Sequence, residues 1–138
     1  MKPVVLDAST ALATLLHDER SPYATRVLEV METGPHIFVP SHWWIESLNG
    51  ILMAERRGRF SRLETAEIVG DLLQLPVTTD DETISRAADE TFHLARQYKL
   101  TVYDAVYLEL AMRRQATLAT VDRELAKAAA IAGVDLLT

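Results

Sequence analysis

Apolar positions along the chain alternate between short runs and helical spacing. Val4, Val5 and Leu6 form an apolar run that stops at Asp7, and Thr10 to Leu16 follows with helix-compatible spacing, so a strand and then a helix are expected. Ser21-Pro22 is a helix start, with serine as N-cap and proline in the first turn, for a helix running to about Glu32 before Gly34-Pro35. Ile37 to Val39 reads as a second strand. Pro40-Ser41 opens a long helix through Arg57 that Gly58 closes, and Ser61 with Glu64 is the capping box of a partner helix reaching Leu75, before Pro76. These two helices form a hairpin.

Val77 to Thr79 is at most a short strand. Glu82 to Tyr98 is helical in pattern, and Thr101 is the expected N-cap of a helix ending near Arg114. Thr117 to Val121 reads as a strand. Asp122 can cap a last helix to Ala132, Gly133 ends it, and Val134 to Leu137 supplies a terminal strand. Alternation of strands and helices predicts an α/β fold with a parallel sheet covered on both faces.

Length and composition narrow this picture. With 138 residues and 49% hydrophobic composition, residues 1–138 are expected to form one domain. No cysteine is present, which excludes thiolate zinc sites, thiol nucleophiles and disulfides and fits a cytoplasmic location. The apolar run before Asp7 is too short for a signal-peptide core, and no stretch reaches membrane-spanning length. The net charge of -6 argues at first against nucleic acid. Carboxylates gathered around a metal are neutralised by it, however, and a local basic patch can still hold a phosphate chain. Arg56, Arg57, Arg59 and Arg62 make such a patch at the hairpin turn. They either guide a phosphate chain or form a solvated turn paired with Glu55 and Glu64.

Four acids carry the candidate chemistry. Asp7 and Asp122 follow strands, where functional groups of open parallel sheets collect. Asp104 lies in a first helical turn and shares a face with Leu108 and Ala111, so it is expected to point inward. Glu46 sits in a helix that is apolar on most sides, and burial is expected for it too. Buried carboxylates need partners, and four acids with few nearby cations suggest a hard divalent ion, Mg²⁺ or Mn²⁺. Each acid also has a plainer reading: Asp122 as a cap, Asp7 as the start of a turn, Asp104 in a capping arrangement with Thr101, and Glu46 paired with an arginine such as Arg26. Zinc is not indicated, since His36 and His42 lack a recognised ligand spacing and His17 and His93 are weaker still.

Taken together, the segments Val-Val-Leu-Asp7-Ala-Ser9, Glu46 with Asn49, Tyr103-Asp104-Ala-Val-Tyr-Leu108 and Leu118-Ala-Thr120-Val-Asp122 resemble a PIN domain, specifically the stand-alone toxin of VapC type. The likeness spans essentially the whole chain. It implies a three-layer α/β/α fold with a central parallel sheet of four or five strands, and a Mg²⁺ or Mn²⁺ site that hydrolyses RNA phosphodiesters by in-line attack of water. Asp7 and Asp104 match the acids that hold the metal most directly, Asp122 and Glu46 complete the site, Ser9 and Thr120 match hydroxyl positions, and Asn49 matches a polar position of less defined role. The resemblance also implies a small antitoxin as partner, its tail lying over the active-site groove, and a homodimer, and the helical hairpin is the expected docking region. Trp43-Trp44 is less typical, and serves core packing or a partner-binding face. A haloacid-dehalogenase phosphatase also places an aspartate after the first strand but wants a second Asp where Ser9 stands, and a PIN-fold module that binds without cutting is a further alternative.

Overall fold

β1 (Val4–Leu6) is the centre of the sheet, and all three of its residues are buried. A parallel strand flanked on both sides and both faces has no solvent side, which is why its sequence is uniformly apolar rather than alternating. In the computed structural model, which describes residues 1–138, β1 pairs in parallel with β2 (Ile37–Val39), Val4 opposite Ile37, and with β4 (Thr117–Ala119), Val4 opposite Thr117. β3 (Thr78–Thr79) adds to the outer edge of β2, giving the order β3-β2-β1-β4.

The helices cover this sheet. They are α1 (Ala8–Leu15), α2 (Pro22–Glu32), α3 (Trp43–Arg56), α4 (Arg62–Leu73), α5 (Thr83–Arg86), α6 (Phe92–Tyr98), α7 (Val102–Arg114) and α8 (Arg123–Ile131). Ser21, Ser61, Thr101 and Asp122 cap α2, α4, α7 and α8 through their side chains, and Ser61 with Glu64 forms the full reciprocal capping box. These satisfy amide donors that the first turn leaves without intrahelical partners. α7 is buried continuously from Ala105 to Ala111, as expected of a helix packed between sheet and neighbouring helices. α1 and α3 lie so close that a Cβ at Gly50 would overlap a terminal methyl of Leu12, which would have to turn aside.

Four expectations need correction. The strand expected from Thr117 to Val121 stops at Ala119, because Thr120 turns its hydroxyl to Asp7 and the Val121 amide donates to Thr10 Oγ1 at 3.0 Å instead of a ladder partner. The terminal strand shrinks to one parallel bridge between Leu118 and Leu136. The stretch from Glu82 to Tyr98 is interrupted by a π turn at Ala87–Thr91, which shifts the helical face by one residue and brings Thr91 and Ala95 into the interior. The helix expected from Pro40-Ser41 begins only at Trp43. Trp43 is fully buried and meets Trp44 edge to face at 4.7 Å, while Trp44 Nε1 donates to Thr79 Oγ1 at 2.9 Å, so the pair fastens α3 to the sheet.

A candidate metal centre at the sheet edge

β1 delivers Asp7 to the carboxyl edge of the sheet, where it also becomes the N-cap of α1. Its Oδ1 accepts from the Thr10 amide at 2.8 Å and from Ser9 Oγ at 3.1 Å, and its Oδ2 accepts from Thr120 Oγ1 across 113 residues of sequence. Asp7 is only 4% exposed. Burial pushes its carboxyl above the ordinary range, against the pull of donors from Thr10, Thr120 and Ser9.

β4 delivers Asp122 to the same edge. Asp122 Oδ1 accepts from the Leu125 amide at 2.9 Å, and the Asp122 amide donates to Thr120 Oγ1 at 3.0 Å. Thr120 thus ties the two acidic strand ends together through one hydroxyl. The cap reading of Asp122 and its placement at the cleft coexist, since capping uses only one carboxylate oxygen.

α7 supplies Asp104 from its first turn and Tyr107 one turn further on, and α3 supplies Glu46. Asp7, Ser9, Glu46, Asp104, Tyr107 and Asp122 line one cleft of about 170 Å³. No basic side chain lines it. Burial raises the Asp104 carboxyl above its ordinary range, and the charges of Asp122, Asp7 and Glu46 raise it further, against a smaller pull from the Thr101 hydroxyl. Three acids from three other elements therefore all act on the fourth.

Glu46 departs from the expected burial, its side chain being 40% exposed at the mouth of the cleft. Nor does it meet Arg26, which lies 3.8 Å from Glu29. Its Oε1 accepts from the Tyr107 hydroxyl at 3.0 Å, and His42 Nε2 lies 2.7 Å from the same oxygen, although outside hydrogen-bonding geometry. Tyr107 is buried, and burial followed by the Glu46 charge pushes its hydroxyl far above the usual tyrosine range. Sequence reasoning missed both partners. The signals were there: His42 is four residues before Glu46 and Tyr107 three after Asp104, spacings that put side chains on one helix face.

The other expected site residues divide. Ser9 and Thr120 stand where the pattern places them, bonded to Asp7. Asn49 is exposed and lies outside the cleft lining. Arg59 is committed to Asp18 and Glu19, at 2.7 and 2.6 Å, rather than to Glu55 or Glu64, whereas Arg56, Arg57 and Arg62 are exposed without ion pairs. His36 stacks on Phe38 at 4.4 Å, and His17 meets Phe60 edge to face.

A second acidic group, Asp80, Asp81 and Glu82 at the end of β3, brings carboxylate oxygens within 4.8 Å of one another, close enough to hold a cation. Arg113 already answers much of that charge. It donates to both oxygens of Asp80 at 2.8 and 2.9 Å and to Glu82 at 3.3 Å. The acids of the cleft at the ends of β1 and β4 have no such cation in its lining.

A parallel sheet with helices on its faces and carboxylates gathered at its carboxyl edge defines the class as α/β, and the chain belongs to the PIN domain family, whose model matches residues 4–131. Among characterised proteins it is similar to Ribonuclease VapC3 of Pyrobaculum aerophilum, at 27% identity over 124 residues, covering 90% of this chain and 92% of that one. Its fold matches VapBC2 of Rickettsia felis, solved with a DNA fragment from their promoter, with a TM-score of 0.66 at 15% identity over 98% of this chain and 97% of that one. It also matches VapC20 of Mycobacterium tuberculosis, described as a sarcin-ricin loop cleaving toxin, with a TM-score of 0.60 at 13% identity over 91% and 94% of the two chains. No helix is long and apolar enough to cross a membrane.

Proposed function

We propose that the chain is a divalent-metal-dependent endoribonuclease, with Asp7, Glu46, Asp104 and Asp122 as the residues that hold Mg²⁺ or Mn²⁺, and that it acts in the cytoplasm as the toxin of a toxin-antitoxin pair. The observation that carries this reading is the convergence of four carboxylates from four elements on one cleft without a basic lining residue. The donor set fits a hard cation. It is all oxygen, and the Asp104 carboxyl, raised by burial first and then by the charges of Asp122, Asp7 and Glu46, faces no basic side chain in the cleft lining. A divalent ion bound there would lower the pKa of coordinated water and offset charge on phosphoryl oxygens.

The chain's own residues prepare the site. Ser9, Thr10 and Thr120 hold the Asp7 carboxylate before any ligand arrives, so the cost of orienting it at binding is reduced. Thr120 sets the separation of Asp7 and Asp122, and the first turn of α7 presents Asp104 opposite them. The names of the relatives, a ribonuclease and an RNA-loop-cleaving toxin, support RNA as the substrate. Ile45, Leu48 and Leu52 form an exposed apolar stripe on α3 at helical spacing, which supports a protein partner on the hairpin: a small antitoxin, or a second copy forming a homodimer.

The test is cleavage of structured RNA by purified protein freed of its partner. Cleavage should require Mg²⁺ or Mn²⁺, stop on addition of EDTA and be absent in Asp7→Asn. Activity that survives chelation would refute the metal mechanism.

A further inference from the structure

Asp7, Asp122 and Glu46 accept hydrogen bonds on their carboxylates, and Glu46 is held differently from the other two. Asp7 is fixed by an amide and two hydroxyls of adjoining segments, and Asp122 by an amide of its own helix. Glu46 receives its one hydrogen bond from a side chain on another helix, the Tyr107 hydroxyl on α7, at 3.0 Å and 61 residues distant in sequence. Tyr107 is 2% exposed. A buried tyrosine hydroxyl needs an acceptor, and here the acceptor it has is a carboxylate of the cleft. His42 approaches the same oxygen at 2.7 Å, with its ring 5.3 Å from that of Tyr107. No protein donor reaches Oε2.

We propose that Tyr107 is a positioning residue whose hydroxyl holds Oε1 of Glu46 against the cleft wall so that Oε2 is the oxygen offered to a divalent cation. The proposal rests on the metal-nuclease reading above. A free glutamate side chain has several rotatable torsions and loses that freedom when it ligates a metal. A tyrosine ring clamped in the core has already lost its own, so a bond from it orders the glutamate in advance. Because Tyr107 and Asp104 sit one turn apart on α7, the same bond sets the distance between α7's acid and α3's acid. Outer hydrogen-bond partners of metal ligands typically change metal affinity by about 10- to 100-fold.

Tyr107→Phe removes the hydroxyl and keeps the ring that fills the core. Mn²⁺ binding, followed by the electron paramagnetic resonance signal of the free ion, should weaken about 10- to 100-fold, and RNA cleavage lost at low Mn²⁺ should recover at saturating Mn²⁺. In a Glu46→Gln background the same substitution should cause little further loss, since both changes then break one interaction. If Tyr107→Phe also lowers the metal-free melting temperature, the double-mutant comparison made where all variants are folded still decides. Wild-type Mn²⁺ affinity in Tyr107→Phe, or losses that add in full with Glu46→Gln, would overturn the proposal alone. A wild-type chain that binds no Mn²⁺ would overturn the metal reading and this proposal with it.

Discussion

Arg113, in the last turn of α7, is the guanidinium on which two buried carboxylates depend. It donates to Asp80 Oδ1 and Oδ2 at 2.9 and 2.8 Å and to Glu109 Oε1 and Oε2 at 2.7 and 3.2 Å. Asp80 and Glu109 are 2% and 3% exposed, so neither can turn to water if the arginine is lost. Arg113→Met keeps much of the aliphatic stem and removes every donor. Removing one partner of a buried ion pair costs about 3–5 kcal/mol, because the remaining charge stays desolvated. At roughly 3 °C per kcal/mol for a chain of this size, the melting temperature at pH 7 should fall by about 10–15 °C. The pH dependence gives a second check. Burial pushes the Asp80 carboxyl up, but Arg113, Thr83 and the Glu82 amide together hold it below its ordinary value of 3.8. Its contribution to wild-type stability is therefore complete above that value and lost as pH falls through the lowered one. In Arg113→Met burial is no longer opposed by the arginine, so the carboxyl takes up its proton at higher pH and the variant recovers part of its deficit on acidification. Melts followed by circular dichroism from pH 7 to pH 4 should show the gap between the two proteins narrowing. A loss under about 1 kcal/mol at pH 7, or a gap that does not change with pH, would refute the assignment of Arg113 as the main counter-charge of Asp80 and Glu109, beside the longer contact of Arg114 with Asp80 at 3.5 Å.

Asp104→Asn should cut RNA cleavage by more than about 100-fold while raising the metal-free melting temperature, because it removes a charge that Asp122, Asp7 and Glu46 all oppose. Melting in EDTA checks the second half, and a lower temperature there would make Asp104 a structural residue. Replacing Arg56, Arg57 and Arg62 together by alanine should reduce the slope of log affinity against log salt for single-stranded RNA by about 2, at roughly 0.7 for each phosphate contact. An unchanged slope measured by filter binding would assign the turn to solvent.

Much of this was open to inspection along the chain, and the reason is local. N-caps, capping boxes and apolar runs act within a few residues, so Ser21, Ser61, Thr101 and Asp122 marked helix starts that the structure keeps. The uniform apolarity of Val4 to Leu6 likewise implied a buried parallel strand, and with it an acid at the sheet edge. Asp7, Glu46, Asp104 and Asp122 could be named from position and pattern alone.

What spans the chain could not be read that way. Periodicity states which face of an element is apolar, never what stands opposite it. The Thr120 hydroxyl meets Asp7 over 113 residues and Tyr107 meets Glu46 over 61, and each pairing exists only because the sheet order and the seating of α3 against α7 bring the two together. Asn49 shows the reverse case, a polar residue three positions from Glu46 that the packing of α3 leaves facing solvent. The π turn at Ala87–Thr91 and the reduction of the last strand to one bridge are also tertiary choices. In the π turn the burial of Thr91 and Ala95 outweighs a local preference of a few tenths of a kcal/mol per residue. The sequence by itself determined the elements and the acids, whereas the tertiary structure decided which distant side chains, Thr120 at Asp7 and Tyr107 at Glu46, hold those acids in place.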